Sequence, residues 1–195
     1  MEKVNRKRAQ GLETRAHLVA AARTLFAARG FAETGTEEVV RAAGVTRGAL
    51  YHQFADKTAL FAAAFEAVAA EVRTRIEREA EASAGAVGAL VAGSIAFLDA
   101  ATDPAIRRIY LVDGPAVLGW SAWREIDARH GMASLSEGVA AALAGPPART
   151  GDAEALTHLL SGALDALALW VADDPAARPR AHAEVARVIA ALFPD

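Results

Sequence analysis

The stretch AAGVTRGALYHQF, Ala42 to Phe54, sets a glycine and a threonine inside a run whose other residues mostly favour helix. Gly44 supplies a left-handed backbone position that a residue with a Cβ resists, so it ends one helix. Thr46 carries a hydroxyl suited to capping the next, and Leu50 and Phe54, four apart, share that helix's inward face. Val45 tucks between the two helices. Arg47, Gly48, Ala49, Tyr51, His52 and Gln53 are left facing mostly outward on a helix of barely two turns. Such a helix is too short to hold itself together in water, so it makes sense only when a scaffold carries it and presents it to something. That is the logic of a helix-turn-helix.

Upstream, a first helix is expected from Glu13 to Arg29. Leu18, Ala22, Leu25 and Phe26 form its apolar stripe and Gly30 stops it. Thr34 with Glu37 fits a capping box opening a second helix, Thr36 to Ala43. Ahead of the first helix, Lys3, Arg6, Lys7 and Arg8 form a basic arm within residues 1–10, which can follow a phosphate backbone, enter a minor groove, or only attract polyanions non-specifically. The charge is uneven along the chain. Residues 1–60 hold ten Lys and Arg against six Asp and Glu, net +4; residues 61–195 hold eleven against eighteen, net −7. A basic head on an acidic body suits polyanion binding at one end and another task at the other.

Several function classes are excluded or disfavoured. The 195 residues include no cysteine, which rules out a disulfide scaffold or a thiolate metal site. No unbroken apolar run reaches the roughly 18 residues of a membrane span. The most apolar window, ALALWVA, is flanked by Asp165 and by Asp173 and Asp174. MEKVNRKRAQ lacks the apolar segment of a signal peptide, so a soluble, cytoplasmic protein is expected. Asp127 with His130, or Asp113 with His130 and His158, are the only groupings that suggest acid/base or metal chemistry. There is no His-Glu-x-x-His, no phosphate-binding glycine loop and no nucleophile elbow. Asp127 and His130 read as an ordinary solvated pair at a helix end. The expectation is therefore no catalytic residue, no metal and no cofactor.

Residues Thr14 to Phe65 resemble the tetracycline-repressor (TetR) family of bacterial transcriptional regulators. The segment LFAARGFAETGTEEVVRAAGVTRGALYHQFADKTALF carries the family's pattern at Glu38-Val39, Ala43-Gly44-Val45, Thr46, Gly48, Leu50-Tyr51, Phe54, Lys57 and Leu60. Gln53 departs from it, standing where His or Tyr is more usual at a position that commonly meets a phosphate. The resemblance implies an all-α protein: a three-helix helix-turn-helix DNA-binding domain over residues 1–57 and a helical ligand-binding and dimerisation domain over 58–195. It also implies phosphate-facing roles for Thr36, Thr46, Tyr51 and Lys57, and places Arg47, Gly48, Ala49 and His52 near base edges. The chemistry agrees, since hydroxyls and a lysine hold register on the backbone and an arginine can pair bidentately with guanine.

Beyond Phe65 the pattern fades. Helices are expected near 57–82, 86–101, 104–118, 119–129, 132–143, 152–172 and 177–193, with 144–152 as the longest loop. The last two have apolar faces wider than one core stripe. Leu160, Leu164 and Leu167 of one, with Val185 and Ile189 of the other, are the expected dimer contacts, as the family's four-helix interface implies. Pro115 cannot donate a backbone hydrogen bond, so a break there should open space beside Tyr110, Asp113, Trp120 and Trp123. With His158 and Trp170 these are the candidate wall of a pocket for a small apolar or aromatic effector. The function expected is a homodimeric, ligand-released repressor of a palindromic DNA operator. Two alternatives stay open: an all-helical enzyme acting on an apolar metabolite, and a DNA-binding activator or architectural protein with no ligand.

Overall fold

The computed structural model describes residues 2–145 and 149–194, with side chains from Arg8 onward, and all regular structure among them is helical. In chain order the elements are α1 (Glu2–Glu33), α2 (Thr36–Ala43), α3 (Arg47–Gln53), α4 (Lys57–Glu81), α5 (Gly85–Ala101) and the single turn α6 (Pro104–Ile106). A π-helical segment (Arg107–Asp113) follows, then α7 (Gly114–Ala128), α8 (Gly131–Ala144), α9 (Ala153–Asp173), a 3₁₀ turn (Pro175–Ala177) and α10 (Arg178–Leu192).

Local chemistry builds the turn between α2 and α3 as the residues imply. Gly44 is left-handed (φ 66°, ψ 28°), its N–H donates to the Arg41 carbonyl, and the Val45 N–H donates to the Val40 carbonyl at 3.1 Å. The two crossed bonds satisfy carbonyls that a helix end otherwise leaves bare. Thr46 Oγ1 accepts the Ala49 N–H at 3.2 Å and opens α3, and Asp56 does the same for α4 through the Ala59 N–H at 2.7 Å. Leu50 and Phe54 are buried.

Two expectations at the amino end are corrected. The backbone is helical from Glu2, so the basic residues belong to the first turns of α1 and not to an arm ahead of it. Arg8 is exposed, and the side chains of Lys3, Arg6 and Lys7 lie outside the described residues. The cap of α2 is Gly35, not Thr34, and Glu38, not Glu37, closes the box by accepting the Gly35 N–H at 3.2 Å. Thr34 is buried instead, donating its hydroxyl to the Gly30 carbonyl at 2.8 Å. Gly30 breaks α1 (φ 83°), which frees that carbonyl, and a buried hydroxyl satisfies it.

The first core cluster joins α1 to α4 with the π segment and α7. Phe26 meets Phe61 edge-on at 5.2 Å, and Phe65 stacks on Tyr110 at 5.2 Å. This packing runs across the expected boundary at residues 57 and 58, because α4 is shared by both halves. A second cluster lies among α5, α8, α9 and α10. Within the expected loop at 144–152, residues 146–148 lie outside the described ones.

Pro115 does not open space as expected. A Cβ on Gly114 would stand 2.8 Å from the Phe65 ring and 3.0 Å from Trp123, so the helix start is packed hard against the core. A π-helical segment precedes the proline, which stands in the first turn of α7 where it is tolerated, and the sharp break comes later, at Gly119 (φ 76°).

Candidate functional site

On the exposed side of α3, the Arg47 side chain is 69% exposed and Tyr51 45% exposed. Thr46, Gly48 and His52 are exposed as well, and Thr36 and Ala49 are half-buried beside them. Of the eight expected contact residues, five are exposed and Thr36, Ala49 and Lys57 are half-buried. Arg47 Nη1 sits 3.5 Å from Glu37 Oε1 and its guanidinium lies 5.7 Å from the Tyr51 ring centre. An ion pair this exposed contributes little, so Arg47 is free to exchange it for another acceptor. Lys57 is different. Its ammonium donates to the Phe31 carbonyl at 2.8 Å and the Thr34 carbonyl at 3.1 Å and lies 4.1 Å from the Phe31 ring centre. It ties α4 to the end of α1, with one ammonium proton outside these two bonds.

The aromatic pocket expected around Pro115 is not there. Trp120 is 68% exposed, His158 and Trp170 are exposed, and Arg180 covers the Trp170 ring at 5.1 Å. Trp123 is core, its indole N–H donating to the Tyr110 carbonyl. Asp113 accepts the Phe31 N–H at 2.9 Å, capping the chain just after the Gly30 break. Of the six candidates, Tyr110 lines a cavity among the described residues, and the other five lie outside its lining. Asp113, His130 and His158 are not brought together: His130 faces Glu66 and His158 faces Arg124.

That cavity, of about 360 Å³, lies on the other side of Tyr110, between α4, α5, α8 and α9. Its walls include Ile76, Leu90, Phe97, Leu135 and Leu164. At its buried end Tyr110 donates its hydroxyl to Asp127 Oδ1 at 2.5 Å, with Ser94, Ser161 and Asp165 alongside. Burial pushes the Tyr110 hydroxyl well above its usual range, and the Asp127 charge adds to that. Burial also raises Asp127, against the Tyr110 hydrogen bond and the nearby Arg124, which lower it. Asp165 is pushed up to about 6, chiefly by burial and then by the Asp127 charge. Asp127 is 6% exposed, so the solvated pairing expected with His130 is wrong. Its nearest hydrogen-bond partner is Tyr110, seventeen residues away on another element, with Arg124 of its own helix at 3.4 Å.

Sequence pattern missed most of this cavity. One signal was present: Asp165 is a lone carboxylate inside the apolar run ALDALALWVA, and an ionisable group on an apolar helix marks a site. The residues expected at a dimer contact are not exposed on the surface. Leu160, Leu164, Val185 and Ile189 are buried in the chain's second core cluster and Leu167 packs against it. The outward apolar side of α9 and α10 is carried instead by Leu159, Leu169, Trp170 and Val188, with Gly162, Ala163 and Ala166 exposed between them.

Residues 18–64 match the family of bacterial regulatory proteins named for tetR, and residues 87–194 match the tetracyclin repressor-like C-terminal domain. The HTH-type transcriptional regulator AcrR of Shigella flexneri is 46% identical over 54 residues, which are 28% of this chain and 25% of AcrR. The HTH-type transcriptional regulator TtgR of Pseudomonas putida is 38% identical over 65 residues, 33% of this chain and 31% of TtgR. The matched segment thus spans only about a quarter to a third of these curated relatives. The crystal structure of a TetR-family transcriptional regulator from Pectobacterium atrosepticum is similar over 96% of this chain and 98% of its own, at 32% identity and a TM-score of 0.82. An exposed recognition helix on a tethered scaffold, a C-terminal match over more than half the chain and a full-length structural relative agree: the chain belongs to the TetR family of helix-turn-helix transcriptional regulators.

Proposed function

We propose that this protein is a cytoplasmic, homodimeric repressor that binds a palindromic operator and leaves it when a small effector fills the cavity behind Tyr110. The observation that carries the reading is the π-helical segment. Tyr110 stands in the cavity wall and Asp113, three residues later, holds the Phe31 N–H at the end of α1. One seven-residue element therefore touches both the effector space and the scaffold of the recognition helix. An effector that binds better to one arrangement of this segment changes the placement of α3, and DNA affinity changes by the same coupling factor, typically about 1–3 kcal/mol.

In this reading Arg47, Gly48, Ala49 and His52 face base edges, while Thr36, Thr46, Tyr51 and Lys57 face phosphates. The apolar side of α9 and α10 seats a second copy. The test is to sequence DNA fragments enriched by the purified protein. A two-fold symmetric motif with half-sites about 34–36 Å apart is expected. Enrichment of no motif, or of an asymmetric one, removes the dimeric operator.

A further inference from the structure

The lining of the cavity has a charge that its apolar walls conceal. Glu77, Glu81 and Glu137 stand toward its outer part and Asp127 and Asp165 at its buried end, and no lysine, arginine or histidine is among the lining residues. Arg73 engages Glu77 at 2.6 Å, and Arg124 stands behind Asp127 at 3.4 Å and reaches Ser161 at 3.4 Å. Asp165 makes no side-chain hydrogen bond among the described residues, and Ser134 Oγ is buried in the same wall with no protein partner. Two carboxylates with partly compensated charge thus end an apolar chamber, behind an acidic mouth that draws cations inward.

We propose that the cavity takes a cationic amphiphile, an apolar or aromatic body bearing one positively charged nitrogen seated between Asp165 and Asp127. The proposal rests on reading the cavity as an effector site. A cation there relieves the repulsion between the two carboxylates and gives Asp165 the partner it lacks. Leu90, Phe97 and Leu164 enclose the body. An anion meets carboxylates from mouth to floor. A neutral ligand of the same shape gains the apolar contacts and nothing from the charge.

The test uses three probes with one phenylbutyl body: 4-phenylbutyltrimethylammonium, 4-phenylbutanol and 4-phenylbutyrate. The quaternary ammonium has no proton to lose, so any pH dependence belongs to the protein. At pH 7.5, titration calorimetry should show the cation binding at least about tenfold more tightly than the alcohol, with the anion weakest. At pH 5, below the value of about 6 to which Asp165 is raised, most of the cation's advantage should disappear while the alcohol's affinity holds. The groups that face Asp165 are Asp127 and Arg124 of α7, with Tyr110 of the π segment beside them and His158 beyond Arg124. Glu77 and Glu81 of α4 and Glu137 of α8 lie farther out. Asp165→Asn keeps the shape, so at pH 7.5 it should reproduce the loss seen at pH 5 and leave the alcohol unaffected. The proposal is overturned if the cation fails to bind, if the alcohol or the anion matches it, or if its advantage survives both pH 5 and Asp165→Asn. Release of the enriched DNA, followed in the same samples, separates this from the repressor reading. Release by the alcohol but not the cation keeps the effector site and removes the charge preference. Tight cation binding with DNA still held keeps the preference and removes the release mechanism.

Discussion

Arg47 and Lys57 belong to one motif, yet their surroundings differ and so should the effects of removing them. Arg47 has only exposed neighbours, Glu37 and the Tyr51 ring, among the described residues, and stands in the first turn of α3. Arg47→Ala should leave folding intact, cost about 1–3 kcal/mol per half-site and relax the base preference at one position. Lys57 spends two of its ammonium protons on carbonyls of the α1–α2 junction. Lys57→Ala should therefore weaken binding to operator and scrambled DNA alike and also lower the melting temperature. Binding curves on both DNAs, paired with thermal unfolding, check this. A Lys57→Ala protein with unchanged stability would reduce that residue to a simple phosphate contact. The α3 residues were legible in sequence because their requirements are local: a left-handed glycine, a capping hydroxyl and an i, i+4 apolar pair. Asp127 was misread because its partner, Tyr110, lies on another element, and no spacing along one helix reveals that.

Among elements, the helix boundaries at Gly44, Asp103-Pro104 and Asp173-Asp174-Pro175 lie within a few residues of expectation, whereas the expected helices 104–118 and 119–129 are instead α6, the π segment and α7. What a break does to its surroundings was not legible. Pro115 was expected to make room and instead accompanies a π segment packed against Phe65 and Trp123. That segment gives Asp113 its place. A Cβ on Gly30 would stand 2.6 Å from the Arg108 guanidinium and 3.3 Å from the Asp113 carboxylate, so the broken end of α1 and the π segment touch directly. Asp113→Ala removes the acceptor for the Phe31 N–H and should cost about 1–2 kcal/mol of stability. Its sharper effect belongs to coupling. Effector affinity should hold, since Asp113 is outside the cavity lining, while the ratio of DNA affinities without and with effector falls toward one. The two titrations, each with the other ligand absent and saturating, give that ratio. An unchanged ratio would place the coupling in α4, the other element shared by both halves.

Across the molecule, α9 leaves more apolar surface uncovered than its place in the core accounts for. Among the described residues it is the one helix long and apolar enough to cross a membrane by length and composition, with a mean hydropathy of 1.5, and only a third of its apolar window is buried. A helix apolar on most of its circumference needs cover on more than one side. Its inner side has that cover from α5, α8 and α10, whereas Leu159 is 59% exposed on the outer side. The small residues Gly162, Ala163 and Ala166 lower that surface enough for a second α9 to approach, and Leu159 and Leu169 flank them along the helix. The sequence pattern showed that α9 is apolar on more than one side, but the residues it set between subunits lie in or against the core. Leu164, expected between subunits, is 7% exposed and lies in its own core. The two sides should respond differently to the same substitution. Leu159→Glu with Leu169→Glu places charge on a surface already in water when the subunit is alone. The subunit should stay folded, sediment as a monomer and bind a single half-site weakly, having lost the second recognition helix. Leu164→Glu places an unpaired charge in the core, where the cost is on the order of 4 kcal/mol or more, so the subunit itself should unfold or aggregate. Sedimentation velocity and circular dichroism on the two proteins distinguish the cases. An intact dimer in the Leu159→Glu, Leu169→Glu protein would move the contact to another face, and a folded monomer from Leu164→Glu would restore the reading that put Leu164 at the interface.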